Sequence, residues 1–284
     1  MHTISTKYGD LVPQYKDGTV RRRYTNAVTR YSNGNIKSIA LHEQTMIQTP
    51  IGVFPAELLT FYENGNLKRL FPLNGKISAY WTEEDEYDLA AEFEFKFKFG
   101  KFNKKVMAIY FYESGSIKGL TFWPNDSVTI QSPLGEVDVR IGITIYPDGR
   151  LKSFEPNKPI AVNTPIGEIT AYNPQAIGIH GDMNSFNFHE DGSIKSLMTS
   201  NNMVTVIDQN KKQVTRGPSL KPSLLDDNKI EATPLRLEFN QGHVKIDNDV
   251  NQYEIAKYAF LINNVPTLFY TPCNACSSCD AWVE

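Results

Sequence analysis

The sequence predicts an all-β fold: an antiparallel meander of repeated hairpins, closing as an open curved sheet, a barrel or a solenoid-like stack, with few helices. A tight-turn motif recurring seven times, a proline-containing turn recurring between its copies, and strict period-two stretches predict it.

The first motif is centred on Gly18, Gly34, Gly65, Gly115, Gly149, Gly192 and Gly242. At minus one stand Asp17, Asn33, Asn64, Ser114, Asp148, Asp191 and Gln241. At minus three stand Tyr15, Tyr31, Tyr62, Tyr112, Tyr146, His189 and Phe239. At plus two stand Val20, Ile36, Leu67, Ile117, Leu151, Ile194 and Val244, and at plus three Arg21, Lys37, Lys68, Lys118, Lys152, Lys195 and Lys245. Asn-Gly and Asp-Gly tolerate positive φ at both central positions of a type I′ turn, whose twist matches that of the flanking strands. A two-residue turn sets minus three opposite plus two, as in Tyr31–Ile36 or Phe239–Val244. Aromatic against aliphatic is a favourable cross-strand pair, worth about 0.2–1 kcal/mol.

The second motif is Thr49-Pro50-Ile51-Gly52, Ser132-Pro133-Leu134-Gly135 and Thr164-Pro165-Ile166-Gly167. Proline suits the first central position of a type I turn and glycine a left-handed residue after it. The two turns alternate over 31–68 and 111–168. A meander with Asn-Gly turns along one rim and Thr-Pro-x-Gly turns along the other follows.

Between the turns, Phe93, Phe95, Phe97 and Phe99 alternate with Glu94, Lys96 and Lys98, which reads as a strand. Thr82 to Ala91 is acidic and suits a short helix. Asp208 to Lys229 shows no period, carries Gly217, Pro218 and Pro222, and reads as a linker or long loop. It divides a β-repeat domain over 1–207 from a C-terminal segment over 230–284 with the seventh hairpin. Tyr253 to Asn263 reads equally as helix or strand. The plus-two aliphatics lie on one face of the expected sheet, and plus five is apolar on the other (Ile39, Leu70, Leu120, Phe154, Leu197). Intervals of 16, 31, 50, 34, 43 and 50 residues between the glycines argue against a strict solenoid and for a meander with insertions.

Segments such as Phe61-Tyr62-Glu63-Asn64-Gly65-Asn66-Leu67-Lys68 and Phe111-Tyr112-Glu113-Ser114-Gly115-Ser116-Ile117-Lys118 resemble MORN-type repeats, and most of all the variant in bacterial antitoxin-like repeat proteins. The resemblance spans about eight residues per unit. It lacks the Gly-x-Trp and second glycine of the usual repeat. It implies a β-hairpin array with an interaction or scaffold role rather than catalysis.

Composition narrows function further. Hydrophobic content of 40% and charged content of 21% are ordinary for a globular chain, and a net charge of −3 argues against nucleic acid as partner. The first residues lack a basic region followed by an apolar run, and no stretch approaches ~18 apolar residues, so neither a secretory signal nor a spanning helix is expected. The three cysteines fall within seven residues, which excludes a disulfide framework and suits a cytoplasmic home.

Several residues are candidates for chemistry. The plus-three bases (Arg21, Lys37, Lys68, Lys118, Lys152, Lys195, Lys245) form a ladder for an acidic polymer or protein partner, or cover apolar neighbours with their stems. Cys273, Cys276 and Cys279 have the spacing of zinc or iron–sulfur ligands, or form an exposed tail. His189-Glu190-Asp191 resembles an acid–base cluster, but the repeat makes His189 a tyrosine equivalent and Asp191 a turn residue. His180-Gly181-Asp182 falls where a turn is expected. The run Glu83, Glu84, Asp85, Glu86, Asp88 lacks the spacing of a calcium loop. Tyr80-Trp81 and Phe122-Trp123 suit a sugar platform or a β core. No nucleophile elbow, P-loop or dinucleotide fingerprint occurs. The expectation is a non-enzymatic β-repeat scaffold or binding protein. A carbohydrate-binding or carbohydrate-acting protein and a metal- or redox-dependent role of the cysteines are the alternatives.

Overall fold

The structure is a computed structural model and describes residues 3–15, 26–75, 83–124, 126–176, 184–222, 230–247 and 252–265. It is almost entirely β. The strands begin with β1 (Ile4–Thr6), β2 (Gly9–Leu11), β3 (Val28–Arg30), β4 (Ile36–Thr49), β5 (Gly52–Phe61) and β6 (Leu67–Phe71). After α1 (Glu83–Leu89) come β7 (Glu92–Phe97), β8 (Gly100–Phe111), β9 (Ile117–Phe122), β10 (Ser127–Ser132), β11 (Gly135–Ile145) and β12 (Leu151–Pro156). Then follow β13 (Ile160–Thr164), β14 (Gly167–Ala171), β15 (Phe186–Phe188), β16 (Ile194–Thr199), β17 (Asn202–Ile207) and β18 (Gln213–Arg216). The last are β19 (Ser219–Pro222), β20 (Ile230–Thr233), β21 (Leu235–Asn240), β22 (His243–Ile246), β23 (Gln252–Glu254) and β24 (Ala259–Asn264). The chain divides into two compact units, Met1–Pro159 with Ala176–Ser196 and Ile160–Gln175 with Leu197–Glu284.

In the first unit an antiparallel sheet runs β3-β4-β5-β6-β8-β9-β11-β12-β15-β16. One register row crosses it through Ile39, Leu59, Leu70, Ile109, Leu120, Ile143, Phe154 and Phe186, each opposite the next. All eight are 0% exposed, so this row is the spine of the core. Closure into a barrel requires a stagger that accumulates around the sheet. Here, among the described residues, β3 pairs with β4 alone and the strand order does not return to it, so the sheet is open.

The five turns at Gly34, Gly65, Gly115, Gly149 and Gly192 share one geometry, and it is not type I′. The glycine amide donates to the minus-three carbonyl (Gly34 N to Tyr31 O, 3.0 Å), and the minus-three amide donates to the plus-one carbonyl (Tyr31 N to Asn35 O, 2.8 Å). Only the glycine has positive φ, +80° to +91°. This is a three-residue loop, a type I turn followed by a left-handed glycine. The minus-one side chain caps it: Asn33, Asn64, Asp148 and Asp191 each accept the plus-one amide at 2.9–3.0 Å. A longer loop moves the register. Plus two faces minus four, as in Phe61↔Leu67, rather than minus three.

A second irregularity follows in every one of these hairpins. Plus four faces minus five, as in Thr60↔Arg69, so plus three is an extra residue with no partner in the ladder. Lys37, Lys68, Lys118, Lys152 and Lys195 are thus bulge residues. The bulge also returns plus five to the face of plus two. The expectation that these two apolar sets lie on opposite faces is therefore corrected: both point into the same core.

The proline turns at Pro50 and Pro133 close arms of this sheet, and a turn without proline closes a third. Strands β4, β8 and β11 have 14, 12 and 11 residues and change register midway, at Ala40/Thr45, Val106/Ala108 and Arg140/Ile143. Their outer parts pair with the neighbouring strand as two-residue hairpins closed by Thr49↔Gly52, Phe97↔Gly100 and Ser132↔Gly135. The hydroxyls of Thr49 and Ser132 donate to the glycine carbonyls at 2.7 and 2.9 Å. The same closure occurs at Thr6↔Gly9. The arms do not end on the opposite rim. A Cβ on Gly115 would lie 3.9 Å from Pro50, and one on Gly192 would lie 3.6 Å from Pro133. Arm tips rest on the turn glycines, so both turn types gather at one edge.

At the middle of the sheet two glycines permit a close approach. A Cβ on Gly119 would meet Ile143 O at 2.5 Å, and one on Gly142 would meet Leu120 O at 2.5 Å. Phenylalanines of the β7–β8 arm pack on one another and on Phe54, with centroids 5.0–6.1 Å apart. The acidic run is helix α1. Its Glu86 is buried and accepts the Gly75 amide at 2.8 Å.

In the second unit β13 pairs with β14, β17 with β18 and β24, β19 with β20, and β22 with β21 and β23. The expected linker over 208–229 carries β18 and β19. It begins with the same loop as the five turns: Lys211 N donates to Asp208 O and Asp208 N to Lys212 O, both at 3.0 Å. Lys211 takes the left-handed position at φ 64°, where the other copies have glycine. The stretch 253–263 is β23, a turn and β24.

Candidate functional site

The lysine column is a property of the bulges. In the first unit Lys37, Lys68, Lys118, Lys152 and Lys195 lie on β4, β6, β9, β12 and β16, every second strand of the sheet. The plus-four residues beside them, Ser38, Arg69, Gly119, Ser153 and Ser196, share one register row with their partners. The lysines therefore stand in line at intervals of two strand spacings, about 9.6 Å. Sequence intervals of 31, 50, 34 and 43 residues between the glycines become equal in space, because the surplus is looped out into arms and connections.

Tyrosine holds each step of this line. Tyr31 Oη donates to Phe61 O at 2.7 Å, Tyr62 Oη to Phe111 O at 2.9 Å, Tyr112 Oη to Ile145 O at 2.8 Å and Tyr146 Oη to Phe188 O at 2.8 Å. Every acceptor is the minus-four residue of the next unit. A second staple joins the turns: Asn35 Nδ2 donates to Glu63 O and Asn66 Nδ2 to Glu113 O, both at 2.7 Å, and Arg150 donates to Glu190 O. Lys37, Lys68 and Lys152 lie over the rings of Tyr31, Tyr62 and Tyr146, with Nζ 5.8, 5.4 and 5.6 Å from the centroids. The ring quadrupole attracts the ammonium there without removing it from water. Lys37 and Lys195 are exposed, and Lys68, Lys118 and Lys152 half-buried.

The other candidates fall elsewhere. Lys245 sits in the regular ladder of the second unit, opposite Glu238. Arg21, His180, Tyr80-Trp81, and Cys273, Cys276 and Cys279 lie outside the described residues. Phe122 and Trp123 are buried, 1% and 4% exposed, and serve the core rather than a sugar platform. His189 N and O bond to Ser193 and Gly192 within the turn, and Asp191 accepts the Ser193 amide and hydroxyl. These bonds hold the Asp191 carboxyl below its ordinary range. Among the described residues no three His, Cys, Asp or Glu side chains converge as a metal site.

A polar row was not anticipated. Beside the apolar spine, minus five and plus four pair within the hairpins: Thr29 with Ser38 at 2.5 Å, Thr144 with Ser153, and Asn187 with Ser196 at 3.1 Å. Next to it Glu155, 1% exposed, accepts the amide and the hydroxyl of Ser185, both at 2.8 Å, while Asn184 donates to Ser153 at 2.9 Å. Burial pushes the Glu155 carboxyl up from 4.5 to about 7; the Ser185 bonds and the Arg140 charge oppose it. Polar residues recurring at minus five and plus four were the available signal.

Comparison with known proteins returns no matching family model, no matching curated protein and no matching solved structure. Among the described residues no helix is long and apolar enough to cross a membrane.

Proposed function

We propose that this chain is a non-enzymatic β-repeat scaffold whose rim of evenly spaced lysines binds a partner. One observation carries the reading. The tyrosines, turn amides and turn carboxylates repeat as structural staples, whereas the bulge lysine repeats without entering the ladder. The bulge aligns the apolar sets at plus two and plus five, and at the same position in five hairpins it sets a lysine outside the ladder. The lysines are thereby displayed at fixed intervals.

The test titrates labelled poly-glutamate and inorganic polyphosphate with the full chain and with a Lys37→Glu, Lys68→Glu, Lys118→Glu variant, at low salt. Binding by the parent chain that the variant loses, with an unchanged circular dichroism spectrum, is expected. No binding of any acidic probe by the folded parent would remove the rim from function.

A further inference from the structure

The rim constrains what it can hold, and this inference rests on the binding reading above. Its period is about 9.6 Å, set by two strand spacings. A partner that meets successive lysines must repeat its charge at that interval. A polyproline II segment rises about 3.1 Å per residue with three residues per turn, so every third side chain recurs on one face at about 9.3 Å. Across the four intervals from Lys37 to Lys195 the mismatch reaches only about 1.2 Å. An α-helix brings residues seven apart to one face at about 10.5 Å, and the same four intervals put it out by about 3.6 Å. A β-strand repeats a face every two residues, at about 6.6 or 13 Å, and matches neither.

Charge decides between a sparse and a dense polyanion. Exposed Glu63, Glu113 and Glu190 stand at minus two of their turns, on the same edge as the lysines. A nucleic acid or polyphosphate carries charge at much closer intervals and would set phosphates against these carboxylates. A peptide with an acid at every third position, and neutral residues between, meets the lysines and passes the glutamates uncharged. Half-buried Tyr31, Tyr62, Tyr112 and Tyr146 add aromatic surface at the same interval, the kind of surface on which polyproline II segments dock.

We propose that the rim seats an acidic polyproline II segment of a protein partner, with one carboxylate at every third residue against successive bulge lysines.

The experiment measures fluorescence anisotropy of three probes against the full chain: a (Glu-Pro-Pro)5 peptide, a block isomer of the same composition and charge, and inorganic polyphosphate. The spaced peptide is expected to bind about ten-fold tighter than its isomer. Lys68→Ala and Lys118→Ala are each expected to weaken it about two- to five-fold, with the circular dichroism spectrum unchanged. Equal binding of the block isomer, or tighter binding of polyphosphate, would overturn the inference and leave a rim that binds charge without register. No binding of any probe would overturn both the inference and the rim reading.

Discussion

The hairpins at Gly34 to Gly192 and the hairpin at Gly242 share a signature and differ in the length of one loop. At Gly242 the loop has two residues, Gln241 and Gly242, with φ 46° and 77°, closed by Asn240↔His243. This is the type I′ turn, and Phe239 faces Val244. No bulge follows, and the plus-three Lys245 faces Glu238 in the ladder. In the other five a third loop residue is followed by a bulge, and the same plus-three lysine leaves the ladder. A third loop residue and the bulge after it thus separate a lysine within the ladder from one beside it.

The largest effect that tests this contrast comes from the packed centre of the array. Gly119→Ala or Gly142→Ala drives a methyl against a backbone carbonyl and should cost about 3 kcal/mol by urea unfolding. Gly242→Ala, where nothing lies within 4 Å of the added Cβ, should cost about 1–2 kcal/mol for its positive φ alone. Equal losses would mean that the sheet is not close-packed at β9–β11.

A pH effect of similar size belongs to the array. The Glu155 carboxyl is raised, so between 4.5 and about 7 the folded chain binds a proton that the unfolded chain has released. Its contribution is full below about 4.5 and falls as pH rises to about 7, by about 3 kcal/mol. Denaturation of the parent chain at pH 5 and pH 8, beside Glu155→Gln, checks this. The parent should lose stability toward pH 8 and the variant should lose less; parallel slopes would place the proton elsewhere.

A smaller effect reads the staples. Tyr112→Phe removes the donor to Ile145 O and should cost about 1 kcal/mol. Smallest are the lysines: Lys68→Ala and Lys245→Ala should each stay within about 0.5 kcal/mol in stability, because neither is a core residue. A large loss at Lys68 would make the column structural and weaken its role as a binding rim.

Much of this was legible. Asn-Gly and Thr-Pro-x-Gly mark turns through the φ that their residues tolerate, and the alternation over 31–68 and 111–168 is present in the structure. The bulge was not legible, because an extra residue in a strand looks like any other residue. Lys68 reads as the next position of a ladder until Thr60↔Arg69 shows that the ladder skipped it. That skip also explains why plus two and plus five, of opposite parity in sequence, share the core. The rims were misplaced for a related reason: the breaks at Ala40/Thr45 and Arg140/Ile143 that fold the arms back carry no proline or glycine common to both. Asp208 to Lys212 escaped notice because Lys211 stands where the motif requires glycine. The candidate rim was legible as a list of residues, and its constant interval only as geometry.

The four hydroxyls of Tyr31, Tyr62, Tyr112 and Tyr146 point forward. Each donates to the hairpin that comes after its own in the chain, so every joint in the array is made in the same sense. Such an assembly has a head and a tail. A hairpin copied within the gene would arrive already carrying the group that engages its successor and the carbonyl that receives its predecessor. Growth by duplication would therefore demand no new joint.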